Sequence, residues 1–148
     1  MVAAPDNKKD LTTTIHLTAL RSVESSLAGL IQDAGPELVE VLNGLASDSA
    51  MLVSLIGPNK GARFLLNSEA TRIGRATDNE IFLDDVTVSR KHAEILRNGK
   101  IFSLKDLGSL NGTYLNGALV DEAALSDGDE LQVGKFRMHF FTGGKVRS

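Results

Sequence analysis

Apolar residues in the second half of the chain come in short runs that turn residues interrupt. Met51–Ile56, Ala62–Leu66, Ala70–Ile73, Glu80–Leu83, His92–Leu96, Ile101–Leu104, Thr113–Leu115, Glu130–Val133 and Phe136–Phe141 read as strands. Between them stand Gly57-Pro58-Asn59, Asn98-Gly99, Asn111-Gly112, Asn116-Gly117, Asp127-Gly128 and Gly134-Lys135, whose Gly and Asn accept the positive φ that tight turns require. Many short strands with no helical run between them predict an all-β sandwich or barrel over residues 50–143, followed by a short C-terminal tail, 144–148.

Residues 1–49 have a different texture and read as an N-terminal tail. Residues 1–18 are polar and lack periodicity apart from Ile15 and Leu17, which predicts a mobile arm; the run Thr12-Thr13-Thr14 lies in it. Leu20, Val23, Leu27, Leu30 and Ile31 then recur at helical spacing, and Leu38, Val41, Leu42 and Leu45 do so again after Gly35-Pro36. Pro36 suits a first helical turn and Gly44 a C-terminal cap. Two short amphipathic helices are one reading of residues 19–46, and a disordered tether with incidental apolar residues is the other.

Composition narrows the function classes. The 148 residues, 42% hydrophobic and 24% charged, can bury one ordinary core. Residues 1–50 carry three bases and seven acids, residues 51–148 thirteen and twelve, so an acidic tail precedes a nearly neutral body. That body, with one Tyr, no Trp and scattered cations, lacks the basic stripe of a nucleic-acid platform. There is no cysteine, no signal-peptide pattern at the N-terminus and no apolar run of membrane-spanning length, and the expected location is the cytoplasm. His16, His92 and His139 form no zinc-type pair, and neither a metal nor a cofactor is expected. Ser89 sits in no Gly-x-Ser-x-Gly elbow, and Gly57-Pro58-Asn59-Lys60-Gly61 lacks the Gly-Lys-Ser/Thr of a phosphate loop. A binding protein is expected, not an enzyme.

Three loop motifs carry the chemistry: Gly74-Arg75, Ser89-Arg90-Lys91-His92 and Ser109-Leu110-Asn111-Gly112-Thr113. They place a guanidinium, a hydroxyl and a carboxamide on three separate connections between strand-like runs, the groups that docking a phosphorylated peptide demands. Their offsets, fourteen residues from Arg75 to Ser89, three on to His92 and nineteen more to Asn111, resemble the forkhead-associated (FHA) domain. That resemblance implies an FHA-type β-sandwich reading phosphothreonine. Arg75, Ser89, Arg90 and Leu110 would then meet the phosphate, with Asn111 holding the peptide main chain and Thr87 and Val88 selecting the sequence. Gly74, His92, Gly112 and Asn116 would shape the scaffold.

The stretches Phe82 to Glu94, Gly108 to Tyr114 and Gly134 to Arg137 are more specifically similar to the small actinobacterial FHA regulators of 2-oxoglutarate metabolism, the oxoglutarate dehydrogenase inhibitors and glycogen accumulation regulators. The resemblance covers residues 50–143. It implies a monomer that binds and inhibits a 2-oxoglutarate dehydrogenase component, and can bind glutamate dehydrogenase. A Ser/Thr protein kinase would phosphorylate its N-terminal threonine pair, and the phosphorylated tail would occupy its own FHA site. The tail departs from the family pattern: Thr12, not an acidic residue, precedes Thr13-Thr14, and Leu17, not an aromatic, follows three places after Thr14. FHA sites commonly select the residue three places on, which ranks Thr14 first and leaves Thr13 and Thr12 as the other candidates. A phosphate-independent interaction module, and an adaptor binding phosphothreonine partners in trans, remain the alternative readings.

Overall fold

A computed structural model describes residues 27–147; Thr12, Thr13, Thr14 and the first part of the predicted helical region lie outside the described residues. The chain divides at Asp33 into two units. Described residues 27–34 are helical (α1). The second unit, Ala34–Ser148, holds α2 (Pro36–Asn43) and eleven strands: β1 (Ala50–Val53), β2 (Arg63–Leu66), β3 (Ala70–Gly74), β4 (Ile81–Phe82), β5 (Ala93–Asn98), β6 (Ile101–Asp106), β7 (Thr113–Leu115), β8 (Ala118–Val120), β9 (Glu122–Ala124), β10 (Glu130–Val133) and β11 (Phe136–Thr142).

The strands form two sheets, ordered β2-β1-β11-β10-β7-β8 and β4-β3-β5-β6-β9. All pairings are antiparallel except β3 with β4, where Ile73 and Gly74 face Ile81 and Phe82 in parallel register. Alternation supplies the core between the sheets: Leu52, Leu66, Leu131, Val133, Met138 and Phe140 come from one, Ile73, Ile81, Ala93, Ile95, Phe102 and Leu104 from the other. Phe102 and Phe140 meet edge to face across it, ring centroids 5.3 Å apart.

All nine predicted strands are present with bounds shifted by a few residues, and two were missed. β8 and β9 are three-residue strands at opposite sheets' edges, joined only by Asp121, so the chain changes sheets with no turn dipeptide to mark it. The β7–β8 turn follows its residues closely: Asn116 at φ 51° and Gly117 at φ 84° give the doubly left-handed turn that fits strand twist.

The outer face of the six-stranded sheet is also covered. Met51, Val53, His139 and Phe141 alternate away from the core yet are buried. Above them lies α2, begun at Pro36 and ending at Gly44 as the sequence predicts, with Leu38 and Leu42 fully buried beneath it. Glu37 reaches Arg63 of β2 at 3.4 Å. The Asn43 side chain donates to the Arg147 carbonyl at 2.9 Å and accepts from the Arg147 amide at 2.7 Å, and the Arg147 guanidinium lies 5.4 Å from the Phe141 ring centroid. Strand directions divide the sandwich into two poles. The segment that follows α2, Ala50 and Thr142 stand at one; the β3–β4, β4–β5, β6–β7 and β10–β11 connections gather at the other.

Candidate phosphopeptide-binding site

The loop between β4 and β5 is the centre of this second pole, and side chains or backbone of the other three connections are bonded to it. Arg75 follows directly on β3. Its amide donates to the Ser89 carbonyl at 2.9 Å and its Nε donates to the Val88 carbonyl at 3.1 Å. With Nε so fixed, the two terminal nitrogens have no partner among the described residues, leaving a half-buried, oriented guanidinium fork. Gly74 makes the approach possible: a Cβ there would stand 2.2 Å from the Arg90 carbonyl oxygen. Asn79, buried, donates from Nδ2 to the carbonyls of Ala76 and Arg90 at 2.8 and 2.9 Å, tying the β3–β4 loop to the same segment.

Ser89 is held at both ends. Its amide donates to Nδ1 of His92 at 3.0 Å, and its hydroxyl oxygen accepts the Leu110 amide at 3.0 Å. A hydroxyl that accepts from the backbone keeps its own proton to donate. His92 is fully buried; with Nδ1 accepting, Nε2 carries the proton and donates to the Gly112 carbonyl at 2.8 Å. The histidine therefore joins the β4–β5 and β6–β7 loops from beneath. Asn111, exposed, donates from Nδ2 to the Thr87 carbonyl at 3.0 Å, leaving Oδ1 and its second N–H toward solvent.

Asp106, at the end of β6, shapes the other loop. Its carboxylate accepts the amides of Gly108 and Ser109 and the hydroxyls of Ser109 and Thr113. Burial pushes its pKa up, but those four donors outweigh it and the net shift is down. Asp85 and Lys135 fasten the β4–β5 loop to the β10–β11 turn. Lys135 Nζ meets Asp85 Oδ1 at 2.8 Å, the Thr87 hydroxyl donates to Asp85 Oδ2 at 2.5 Å, and the Lys135 amide donates to that hydroxyl at 3.0 Å. The Lys135 ammonium, with the hydroxyl and amide of Thr87, holds the Asp85 carboxyl at about 2.

Arg75, Ser89, Arg90, Leu110 and Asn111 are thus gathered at one pole. Arg90 and Leu110 are exposed there, Leu110 to 90%. The peptide-selecting pair divides: Thr87 is half-buried with its hydroxyl occupied by Asp85, and the Val88 side chain lies in the core, so Val88 offers the site only its carbonyl, already taken by Arg75. Asn116 lies elsewhere, in the β7–β8 turn, its Oδ1 accepting the Glu130 amide and its Nδ2 donating to Asp129. Asn79, Asp85, Asp106 and Lys135 have no place in the binding site that the sequence predicts. Asp106, with a serine three places on and glycine between, and Asp85, with Thr87 two places on, had the pattern of Asx-type turns and could have been picked out; Asn79 and Lys135 reach segments that no local spacing marks.

Among the described residues no helix is long and apolar enough to cross a membrane. Comparison with known proteins matches residues 71–134 to the FHA domain. The oxoglutarate dehydrogenase inhibitor of Corynebacterium jeikeium is 48% identical over 141 residues, 95% of this chain and 94% of that one. The glycogen accumulation regulator of Mycolicibacterium smegmatis is 56% identical over 113 residues, 76% of this chain and 72% of that one. A solved FHA domain described for phosphothreonine-dependent interactions is 35% identical, with a TM-score of 0.59, over 64% of this chain and 96% of that one. With an FHA sandwich, and a relative 48% identical along 94% of its length, this chain belongs to the FHA-domain family of oxoglutarate dehydrogenase inhibitors and glycogen accumulation regulators.

Proposed function

We propose that the protein is a non-catalytic cytoplasmic regulator whose FHA site binds phosphothreonine, and which inhibits a 2-oxoglutarate dehydrogenase component, with glutamate dehydrogenase as a second partner. The observation that carries this reading is the orientation of Arg75 and Ser89: one guanidinium with Nε anchored and its fork open, one hydroxyl accepting from backbone with its proton to spare. A phosphothreonine brings about −1.5 to −2 charges and three acceptor oxygens, and these donors answer both.

The regulatory part of the proposal is that a Ser/Thr kinase phosphorylates Thr14, or failing that Thr13 or Thr12, and that the tail then occupies the site of its own molecule and displaces the enzyme partner. The second unit begins at Ala34, two residues ahead of α2, whose Glu37 meets Arg63 partway along the six-stranded sheet, so the tail must cross part of the sandwich to reach the site. The seven residues of β11, which run from the site's pole to the other, span about 20 Å. Thirteen residues separate Thr14 from Leu27, the first described residue of α1, and as a flexible chain they would have an r.m.s. span of about 20 Å, comparable to that strand. A tether of that length supplies an effective concentration on the order of a millimolar, so a micromolar intrinsic affinity would keep the phosphorylated tail docked.

The test is two-dimensional NMR of the full chain before and after kinase treatment, alongside inhibition of the dehydrogenase component. Resonances of Arg75, Ser89 and Asn111 should shift on phosphorylation, independently of protein concentration, and inhibition should cease; Ser89→Ala should leave both unmoved by phosphorylation. Shifts that appear only at higher concentration would mean docking in trans, as in an adaptor. Inhibition that persists after phosphorylation would mean a phosphate-independent module.

A further inference from the structure

Four Asn-Gly dipeptides lie among the described residues: Asn43-Gly44, Asn98-Gly99, Asn111-Gly112 and Asn116-Gly117. A following glycine leaves the backbone nitrogen free to approach the asparagine side chain, since no Cβ stands in the way. The four differ in how firmly the carboxamide is held. Asn43 and Asn116 are bonded through both Nδ2 and Oδ1. Asn98, the exposed last residue of β5, has no side-chain hydrogen bond among the described residues. Asn111 is intermediate, exposed and held only through Nδ2 at the Thr87 carbonyl.

We propose that Asn111 is a deamidation site and that its conversion silences the phosphopeptide site; the second half rests on the function proposed above. Each residue of the pair has a reason to be what it is. Gly112 sits at φ 84°, and a Cβ there would lie 2.5 Å from Leu119 Cδ1. Asn111 must donate to Thr87 while keeping a donor and an acceptor for a peptide main chain, which only a carboxamide does.

The chemistry needs water alone. The Gly112 amide nitrogen gives up its proton and forms a bond to Cγ of Asn111; the Cγ–Nδ2 bond breaks, and ammonia leaves with that proton. Water opens the resulting five-membered succinimide at either carbonyl, leaving aspartate or isoaspartate at position 111. One water enters and one ammonia departs. The carboxylate so formed has no proton to donate to the Thr87 carbonyl and places a negative charge where a phosphate must approach Arg75 and Ser89. Isoaspartate also adds a methylene to the backbone beside the Gly112 carbonyl that holds His92.

The experiment keeps the full chain at mildly alkaline pH and follows each of the four asparagines by peptide mapping and mass spectrometry, while titrating the same samples with a phosphothreonine peptide. Conversion is expected fastest at Asn98, next at Asn111 and slowest at Asn43 and Asn116, with binding capacity falling in step with position 111. Added phosphopeptide should slow conversion at Asn111 and leave Asn98 unaffected. Asn111→Asp should bind about ten- to a hundredfold more weakly, whereas Asn98→Asp should match the unaltered chain. Asn111 intact after Asn98 has fully converted would overturn the site, and full affinity after conversion at Asn111 would overturn the silencing. Fresh protein that binds no phosphothreonine peptide would sink the proposed function and the silencing with it, while the masses alone would still decide the deamidation.

Discussion

Arg75 and Asn111, on different loops, hold the carbonyls of two successive residues: Arg75 Nε bonds to Val88 and Asn111 Nδ2 to Thr87, at 3.1 and 3.0 Å. The groups offered to a ligand are therefore spaced by the stretch of backbone they share, before any ligand arrives. Such preorganisation spares binding the cost of ordering two rotamer-rich side chains, about 0.5–1.5 kcal/mol each.

Arg75→Lys should show how much of that depends on the fork and not on charge. An ammonium keeps the charge but gives up the Nε anchor and the paired donors, and phosphothreonine-peptide affinity should fall about tenfold or more, with thermal stability little changed. Calorimetric titration at fixed salt measures it, and an unchanged affinity would show that Arg75 acts only as a positive charge.

His92→Ala should act on stability first. It leaves a void in place of a fully buried ring and strips two backbone groups, the Ser89 amide and the Gly112 carbonyl, of their partner. The cost expected is about 3–5 kcal/mol, read from denaturant unfolding. A variant that unfolds at the usual midpoint yet binds no peptide would place the histidine in recognition instead.

Gly74→Ala should damage stability and binding together, because the added methyl meets backbone, the Arg90 carbonyl at 2.2 Å, and the loop carrying Ser89 must move. Measuring unfolding and peptide affinity on the same variant checks it; a loss confined to one would mean the loops respond independently.

Acid should loosen the β4–β5 loop late. The Asp85 carboxyl is held at about 2 by the Lys135 ammonium and by Thr87, against an ordinary 3.8. A depressed carboxylate contributes its stabilisation fully above the unfolded value and loses it as pH falls from about 4 towards 2. Lys135→Met should move the Asp85 titration upward, followed by the side-chain carboxyl resonance, and bring the loop's acid transition to higher pH. An Asp85 titration that ignores the substitution would mean Thr87 alone sets it.

The sandwich was legible because turn chemistry is local: wherever Asn-Gly or Asp-Gly stood between apolar runs, no strand ran through the glycine. It failed at Asp121, where the chain crosses between sheets on the strength of tertiary pairing and the flanking Ala-rich edge strands bury almost nothing. The site residues were legible from the offsets of Arg75, Ser89 and Asn111, and the geometry gathers them. Illegible were the ties between distant segments, Asn79 to Arg90 and Lys135 to Asp85, and the burial of Val88, which depends on which face of a loop turns inward.

The helix roofing the outer sheet face sets where the folded body can be cut. A fragment begun at Ala50 would keep every strand and every site residue, yet would lose Leu38 and Leu42 and bare Met51, Val53, His139 and Phe141. Burying two leucines is worth about 3–6 kcal/mol, a large part of the 5–15 kcal/mol that holds an ordinary domain together. His139 would suffer twice, since burial now holds its imidazole below the ordinary range against the opposing charge of Glu130, and uncovering it would lift that restraint and favour its protonation. Such a fragment would be sticky and sensitive to mild acid for reasons unrelated to peptide recognition, whereas one begun at Ala34 would carry its own roof.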